Sequence, residues 1–149
     1  MKKIALVLLC VLTLTACANM DQKEATAYDF SGEHEFFTVS EGSIVLDGEK
    51  QTFNGGKLTI TRPEVFEEIA SYSTCFFYNL ENGERKDFYT TAATPEEGDF
   101  SLTDRAFGMA STTGSMINPE QGLWFELKTV DENGAENIYQ IELAVTERK

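Results

Sequence analysis

The chain predicts an all-β fold, an antiparallel β-sandwich with one short helix, and three features carry that prediction. The first is the stretch Leu123–Thr146. There Leu123, Phe125, Leu127 and Thr129 alternate with Trp124, Glu126, Lys128 and Val130, and beyond a polar turn Tyr139, Ile141, Leu143 and Val145 alternate with Ile138, Gln140, Glu142 and Ala144. Successive side chains on a strand point to opposite faces, so each arm has one apolar face and one mixed face. The second feature is a succession of short apolar runs from Phe30 onward, punctuated by Gly, Asn or Pro at about 8–12 residues, the interval of sandwiches and barrels. The third is Asn82-Gly83 between two aromatic runs, the strongest local hairpin signal in the chain. An immunoglobulin-like strand arrangement is one option for such a chain.

Taken in order, Met1-Lys2-Lys3, the apolar segment Ile4–Leu14 and Leu14-Thr15-Ala16-Cys17 read as a signal peptide. The apolar segment is shorter than the roughly 20 helical residues that cross a bilayer, which argues against a transmembrane anchor. Leu14-Thr15-Ala16-Cys17 resembles the lipobox of bacterial lipoproteins, with the basic start, apolar segment and cleavage motif in the expected order. The resemblance implies cleavage before Cys17, a diacylglycerol thioether on its sulfur and a new amino group open to acylation. An ordinary secretory signal cut near Ala16 or Ala18 is the alternative. In a cell with an outer membrane, Ala18 in place of an aspartate would point to that membrane. The expected organisation is therefore a lipoprotein signal peptide over residues 1–16, a lipidated tether over 17–29 and a single β-sandwich domain over 30–149. As flexible coil, the polar stretch Ala18–Asp29 reaches roughly 20 Å.

Removing residues 1–16 leaves ten Lys and Arg against 25 Asp and Glu, a mature net charge of −15. Such a surface repels phosphate backbones and anionic headgroups, so nucleic acid is not an expected partner, and membrane attachment falls to the lipid on Cys17. Only Cys17 and Cys75 survive processing, which leaves no internal disulfide. Cys75, in the run Cys75-Phe76-Phe77-Tyr78, is expected to be a small buried hydrophobe.

Within the domain, His34–Val39 and Ser43–Asp47 are expected to form a hairpin about Ser40-Glu41-Gly42, with Phe37 opposite Val45. Lys57–Thr61 follows Asn54-Gly55-Gly56 as a strand. Pro63 then opens the one expected helix, residues 63–70, with Thr61 and Glu64 as a capping box. Ser73–Leu80 and Arg85–Thr91 pair about Asn82-Gly83, setting Phe77 opposite Phe88 and Phe76 opposite Tyr89; a two-residue turn also sets Glu81 against Glu84, and a four-residue loop in the same register is the alternative that relieves this like-charge pair. The prolines of TPEEG (94–98) and NPEQG (118–122) preset single turns. Gly98–Thr103 and Ala106–Thr112 complete the strands, and residues 108–118 are expected to be the most mobile loop. In the last hairpin an odd loop with Gly134 at positive φ sets Leu127 opposite Tyr139, Phe125 opposite Ile141 and Leu123 opposite Leu143.

Few residues carry chemistry. His34 is the only histidine, and neither Ser111 nor Ser115 has the strand-turn-helix context of a nucleophile elbow. One His and one free Cys disfavour zinc. The acidic turns at 96–99 and 131–136 lack the ligand spacing of a calcium loop, so no metal or cofactor is expected. Exposed aromatics are the more credible route to binding: Trp124, Tyr72 and Tyr78 are the candidate ligand-binding residues, with Tyr28 also weighed. Trp124 is expected either to be covered by residues 63–70 or the chain before Phe36, or to stand exposed as a platform.

The function that follows is a non-enzymatic surface lipoprotein that binds an extracellular glycan, peptide or partner protein. The alternative is an extracytoplasmic enzyme or enzyme inhibitor with its site in loops 92–99 and 108–122. The opening Phe30-Ser31-Gly32-Glu33-His34-Glu35-Phe36-Phe37 and the closing hairpin are loosely similar to small lipoproteins of Gram-positive gut bacteria, a likeness that implies no activity.

Overall fold

The computed structural model describes residues 24–94, 105–113 and 118–149. The lipobox, the strand expected at Gly98–Thr103 and the acidic turn at 96–99 lie outside them. Ten antiparallel strands are formed among the described residues: β1 (Thr26–Glu33), β2 (Phe37–Asp47), β3 (Lys50–Asn54), β4 (Lys57–Ile60), β5 (Ile69–Asn79), β6 (Arg85–Ala93), β7 (Arg105–Ala106), β8 (Met109–Thr113), β9 (Leu123–Asp131) and β10 (Glu136–Glu147). They make one sheet in the order β6-β5-β9-β10-β1-β2-β3-β8, with β4 pairing β2 and β7.

The sheet folds over on itself at β10. Residues Glu136–Leu143 pair with β9, while Ala144–Glu147 pair with β1 on the other edge, so one long strand belongs to both layers. The layers meet through aromatic rings: Phe37 of β2 lies 5.8 Å from Phe125 of β9, and Phe53 of β3 lies 5.0 Å from Phe76 of β5. The result is a sandwich joined along one side and close to a barrel, not the two separate sheets of an immunoglobulin domain.

The C-terminal hairpin has the predicted register, with Tyr139 opposite Leu127, Ile141 opposite Phe125 and Leu143 opposite Leu123. Its turn closes when the Asp131 N–H donates to the Ala135 carbonyl at 3.0 Å and the Gly134 N–H to the Asp131 carbonyl at 3.0 Å, with Gly134 at φ +83°.

The hairpin expected about Ser40-Glu41-Gly42 does not form. β2 runs straight through these residues, with Glu41 at φ +59° bending it where it changes partner. Phe37–Ser40 pair with β4 and Ser43–Asp47 with β3, so Val45 lies opposite Thr52 rather than Phe37. The turn-forming residues make a kink, and the reversal falls instead at Gly48, also at φ +59°. β3 carries one large apolar residue, Phe53, among polar neighbours, which is why its strand character is faint in the sequence. β1 begins at Thr26, so residues 26–29, expected in the tether, are strand; all four pair with β2, and Tyr28 and Asp29 also with β10, a position that outweighs their weak alternation.

The expected helix shrinks to a 3-10 turn over Pro63–Phe66, and Ile69 already pairs with Asp131 of β9. The capping box is absent: Glu64 accepts a 2.8 Å bond from the Arg62 guanidinium instead. The residue before a proline is pushed towards extended backbone, and long-range strand pairing claims the rest of the segment.

Around Asn82-Gly83 the turn has three residues. The Leu80 N–H donates to the Glu84 carbonyl at 2.7 Å, with Gly83 at φ +81°, so Glu81 and Glu84 are not opposed. Phe77 therefore faces Asp87 rather than Phe88, and a bulge restores the predicted match of Phe76 with Tyr89. The extra residue turns two consecutive aromatics inward, Phe88 at 5.0 Å and Tyr89 at 5.3 Å from Phe53. Residues 109–113 form β8 against β3, as the expected strand Ala106–Thr112 has it and against the loop expected from 108, and the Gly108 N–H donates to the Tyr89 hydroxyl at 2.9 Å across the seam between the sheet's ends.

A face of β6, β5, β9 and β10 as the candidate functional site

The inward residues of β5, β9 and β10 fill the core: Tyr72, Phe76, Tyr78, Leu123, Phe125, Leu127, Ile141 and Leu143. The registers order the outward residues of the same layer into rows. One row is Asp87, Phe77, Trp124 and Glu142; the next is Thr90, Cys75, Glu126 and Gln140; a third is Ala92, Ser73, Lys128 and Ile138. Val130 begins a fourth, beside Ser71 and Glu136.

Phe77 is 4% exposed although it points outward. Two neighbours cover it. The Arg85 guanidinium lies 3.8 Å from its ring centroid, and the half-buried Trp124 indole lies nearly parallel to it at 6.2 Å and 24°. Arg85 is held in place by carboxylates: Nη1 and Nη2 donate to the two Glu126 oxygens at 2.6 and 3.1 Å, and Nε donates to Asp87 at 2.5 Å. Gln140 donates to Glu126 at 2.6 Å. The tryptophan thus stands in a setting of polar side chains whose orientations are fixed by one another.

Below this cluster the face is built of small residues. A trough of about 420 Å³ is lined by Ser71, Ser73, Ala92, Thr94, Lys128 and Glu136, with Lys128 paired to Glu136 at 2.6 Å. Another concavity, about 530 Å³, lies along β1 and the end of β10, where Arg148 pairs with Asp29; its aromatic, Phe30, is buried and presents no platform.

The bond from Arg85 is the main cause holding the Glu126 carboxyl below the usual carboxylate range, with Gln140 assisting, while partial burial opposes both. A carboxyl whose folded value is depressed contributes stability that is present above its unfolded value, about 4.3, and is lost as pH falls through the folded value. Unfolding free energy is therefore expected to decline on acidification below about pH 4.3. Glu126→Gln should flatten that decline in urea titrations at stepped pH, without abolishing it, because Arg148 and Arg62 likewise depress Asp29 and Glu64. An unchanged slope would contradict the coupling.

The residues singled out in the sequence separate here. Tyr72 and Tyr78 are 5% and 3% exposed and belong to the core, so neither offers an open platform, although Tyr72 also borders the trough. The segments expected to cover Trp124 pack elsewhere: Phe66 of the 3-10 turn and His34, before Phe36, lie against Tyr139, which faces inward. Its companion is Phe77, which sequence reasoning missed. The signal was the unbroken run Cys75-Phe76-Phe77-Tyr78, because consecutive apolar residues on a strand place one on each face.

The other candidates serve structure. His34 accepts the Phe36 N–H at 3.2 Å and stacks on Phe37 at 4.8 Å, whereas Cys75 receives the Thr90 hydroxyl at 3.5 Å and is pushed up in pKa by burial. The two do not share a site. Asp131 accepts the Asn133 and Ala135 N–H groups, both at 2.8 Å, and so holds its turn. Among the described residues no cluster of three or more His, Cys, Asp or Glu is placed to hold a metal. No family model, curated protein or solved structure matches the chain.

Proposed function

We propose that this is a surface lipoprotein, held on the extracytoplasmic face of a membrane by lipid on Cys17, whose domain is a non-enzymatic module that binds an extracellular glycan on the outer face of β6, β5, β9 and β10. In a cell with an outer membrane, that membrane is the expected location. The observation that carries the binding reading is Trp124, a partly open indole beside Glu142 and next to the ordered Arg85–Glu126–Gln140 cluster. Sugars present apolar C–H faces and rings of hydroxyls, and they are matched by an aromatic plane flanked by fixed donors and acceptors. A peptide anchor would call for a deeper apolar pocket or a contiguous apolar patch, whereas the neighbours of Trp124 are charged apart from the sealed Phe77.

Two measurements test this reading. Intact-mass analysis of the wild-type protein extracted from membranes is expected to show a diacylglycerol adduct at Cys17, and Cys17→Ser to accumulate as a longer, unlipidated precursor; a wild type without acyl addition would refute the anchor. An array carrying neutral glycans and peptides, probed with the Cys17→Ser protein, is expected to score among the glycans. Binding confined to peptides would overturn the glycan assignment.

A further inference from the structure

We propose that the ligand is a linear oligosaccharide of uncharged sugars that occupies two places on this face at once, with one ring against Trp124 and another in the trough of Ser71, Ser73, Ala92 and Thr94. This rests on the glycan reading above and adds to it the ligand's length, path and charge.

Length follows from the rows. Trp124 and Lys128 lie four residues apart on β9 and Val130 two beyond, and at about 3.3 Å per strand residue these separations are roughly 13 and 20 Å. Lys128 and Val130 line the trough, so the distance from indole to trough is too long for a single sugar ring and suits a short chain. The path between the two places is polar. It crosses the row of Thr90, Glu126 and Gln140 and then Ser73, whose side chains offer acceptors and donors to hydroxyls along the way. The trough has room for a ring because its floor is Ser71, Ser73 and Ala92, while the Lys128–Glu136 pair forms a polar wall.

Charge follows from the same residues. The face carries four carboxylates, Asp87, Glu126, Glu136 and Glu142, against two cations, Arg85 and Lys128. Both cations are already bound to carboxylates within the face, Arg85 to Glu126 and Asp87, and Lys128 to Glu136. The unbalanced negative charge lies at the indole end, with Glu142 and the second carboxylate on Arg85, so an anionic chain would be repelled there and an uncharged one would not.

The test is titration calorimetry on the Cys17→Ser protein with β-1,4-linked glucose and N-acetylglucosamine oligomers from dimer to hexamer. Linking two contacts in one chain should make the hexamer bind at least about tenfold more tightly than the dimer in one of the series. Ala92→Phe and Ser73→Phe, which fill the trough, should each return the hexamer to the affinity of the dimer, and Trp124→Ala should weaken both lengths. Urea midpoints for the trough variants check that the fold is retained, and Ala92, exposed on an edge strand, is the milder change. Equal affinity for all lengths, or trough variants without effect while Trp124→Ala still weakens binding, would overturn the two-place inference and leave the platform standing. Preference for sulfated or uronic-acid oligomers would overturn the charge assignment. Failure of every oligosaccharide, charged or not, to bind the wild type would overturn this inference together with the glycan reading beneath it.

Discussion

Phe76→Ala is expected to lower the unfolding free energy by about 3–5 kcal/mol, a large fraction of what a domain of this size possesses. Phe76 is 0% exposed, and its ring lies 5.0 Å from Phe53 and from Phe125, 5.2 Å from Phe107 and 5.8 Å from Phe30. Those partners sit on β3, on β9, in the segment between β7 and β8, and on β1, so this one side chain ties the two layers together. Truncation removes the transfer free energy of the ring and leaves a cavity with rigid aromatic walls on several sides. Urea unfolding of wild type and variant supplies the measurement. A loss below about 1 kcal/mol would mean that the layers are not joined through Phe76.

Gly56→Ala is expected to cost about 3 kcal/mol or more, the sum of a left-handed backbone imposed on alanine and a steric clash that the surroundings cannot relieve. Gly56 has φ +73°, and a Cβ there would overlap the Ser40 carbonyl oxygen and the Gly42 backbone nitrogen at the kink of β2. Both are backbone atoms in the middle of a paired strand, so neither can rotate aside. Gly83 is the internal control. Its φ is +81° but no atom lies within 4 Å of its virtual Cβ, so Gly83→Ala should show the backbone cost alone, about 1–2 kcal/mol. Equal losses for the two variants would remove the close packing of β2 against the 54–56 turn from the account.

What was legible in the sequence tracks how local the determinants are. The β9–β10 hairpin could be read to the residue, since alternation fixes which side chains pair and Gly134 fixes the loop parity. Pro119–Gln121 came out as the single turn its proline and Gly122 suggested. Two of the errors share one cause. Ser40-Glu41-Gly42 has the chemistry of a turn, and only the long-range demand that β2 serve β3, β4 and β1 together keeps it extended. The helix after Pro63 has the right spacing of Val65, Phe66 and Ile69, yet Ile69 is claimed by β9, some sixty residues downstream. The bulge at Phe88 was hidden because a two-residue Asn-Gly turn gives the same pairing at Phe76 as a three-residue turn with one residue inserted. Of the candidate site, alternation placed Trp124, Glu126 and Gln140 together on one face. The contribution of Phe77 and Arg85 needed the β5–β9 pairing, which joins segments separated by the whole middle of the chain.

The most direct test of the binding face is Trp124→Ala, measured for both stability and affinity in the Cys17→Ser protein. The indole is half-buried and shields Phe77 from one side only, so the stability loss should stay at about 1–2 kcal/mol, below the 3–5 kcal/mol expected for a core aromatic. Affinity for the bound oligosaccharide should fall by at least about thirtyfold, the equivalent of roughly 2 kcal/mol for an anchoring residue. A variant that loses core-scale stability, or one that keeps wild-type affinity, would contradict the claim that this tryptophan is the centre of the site.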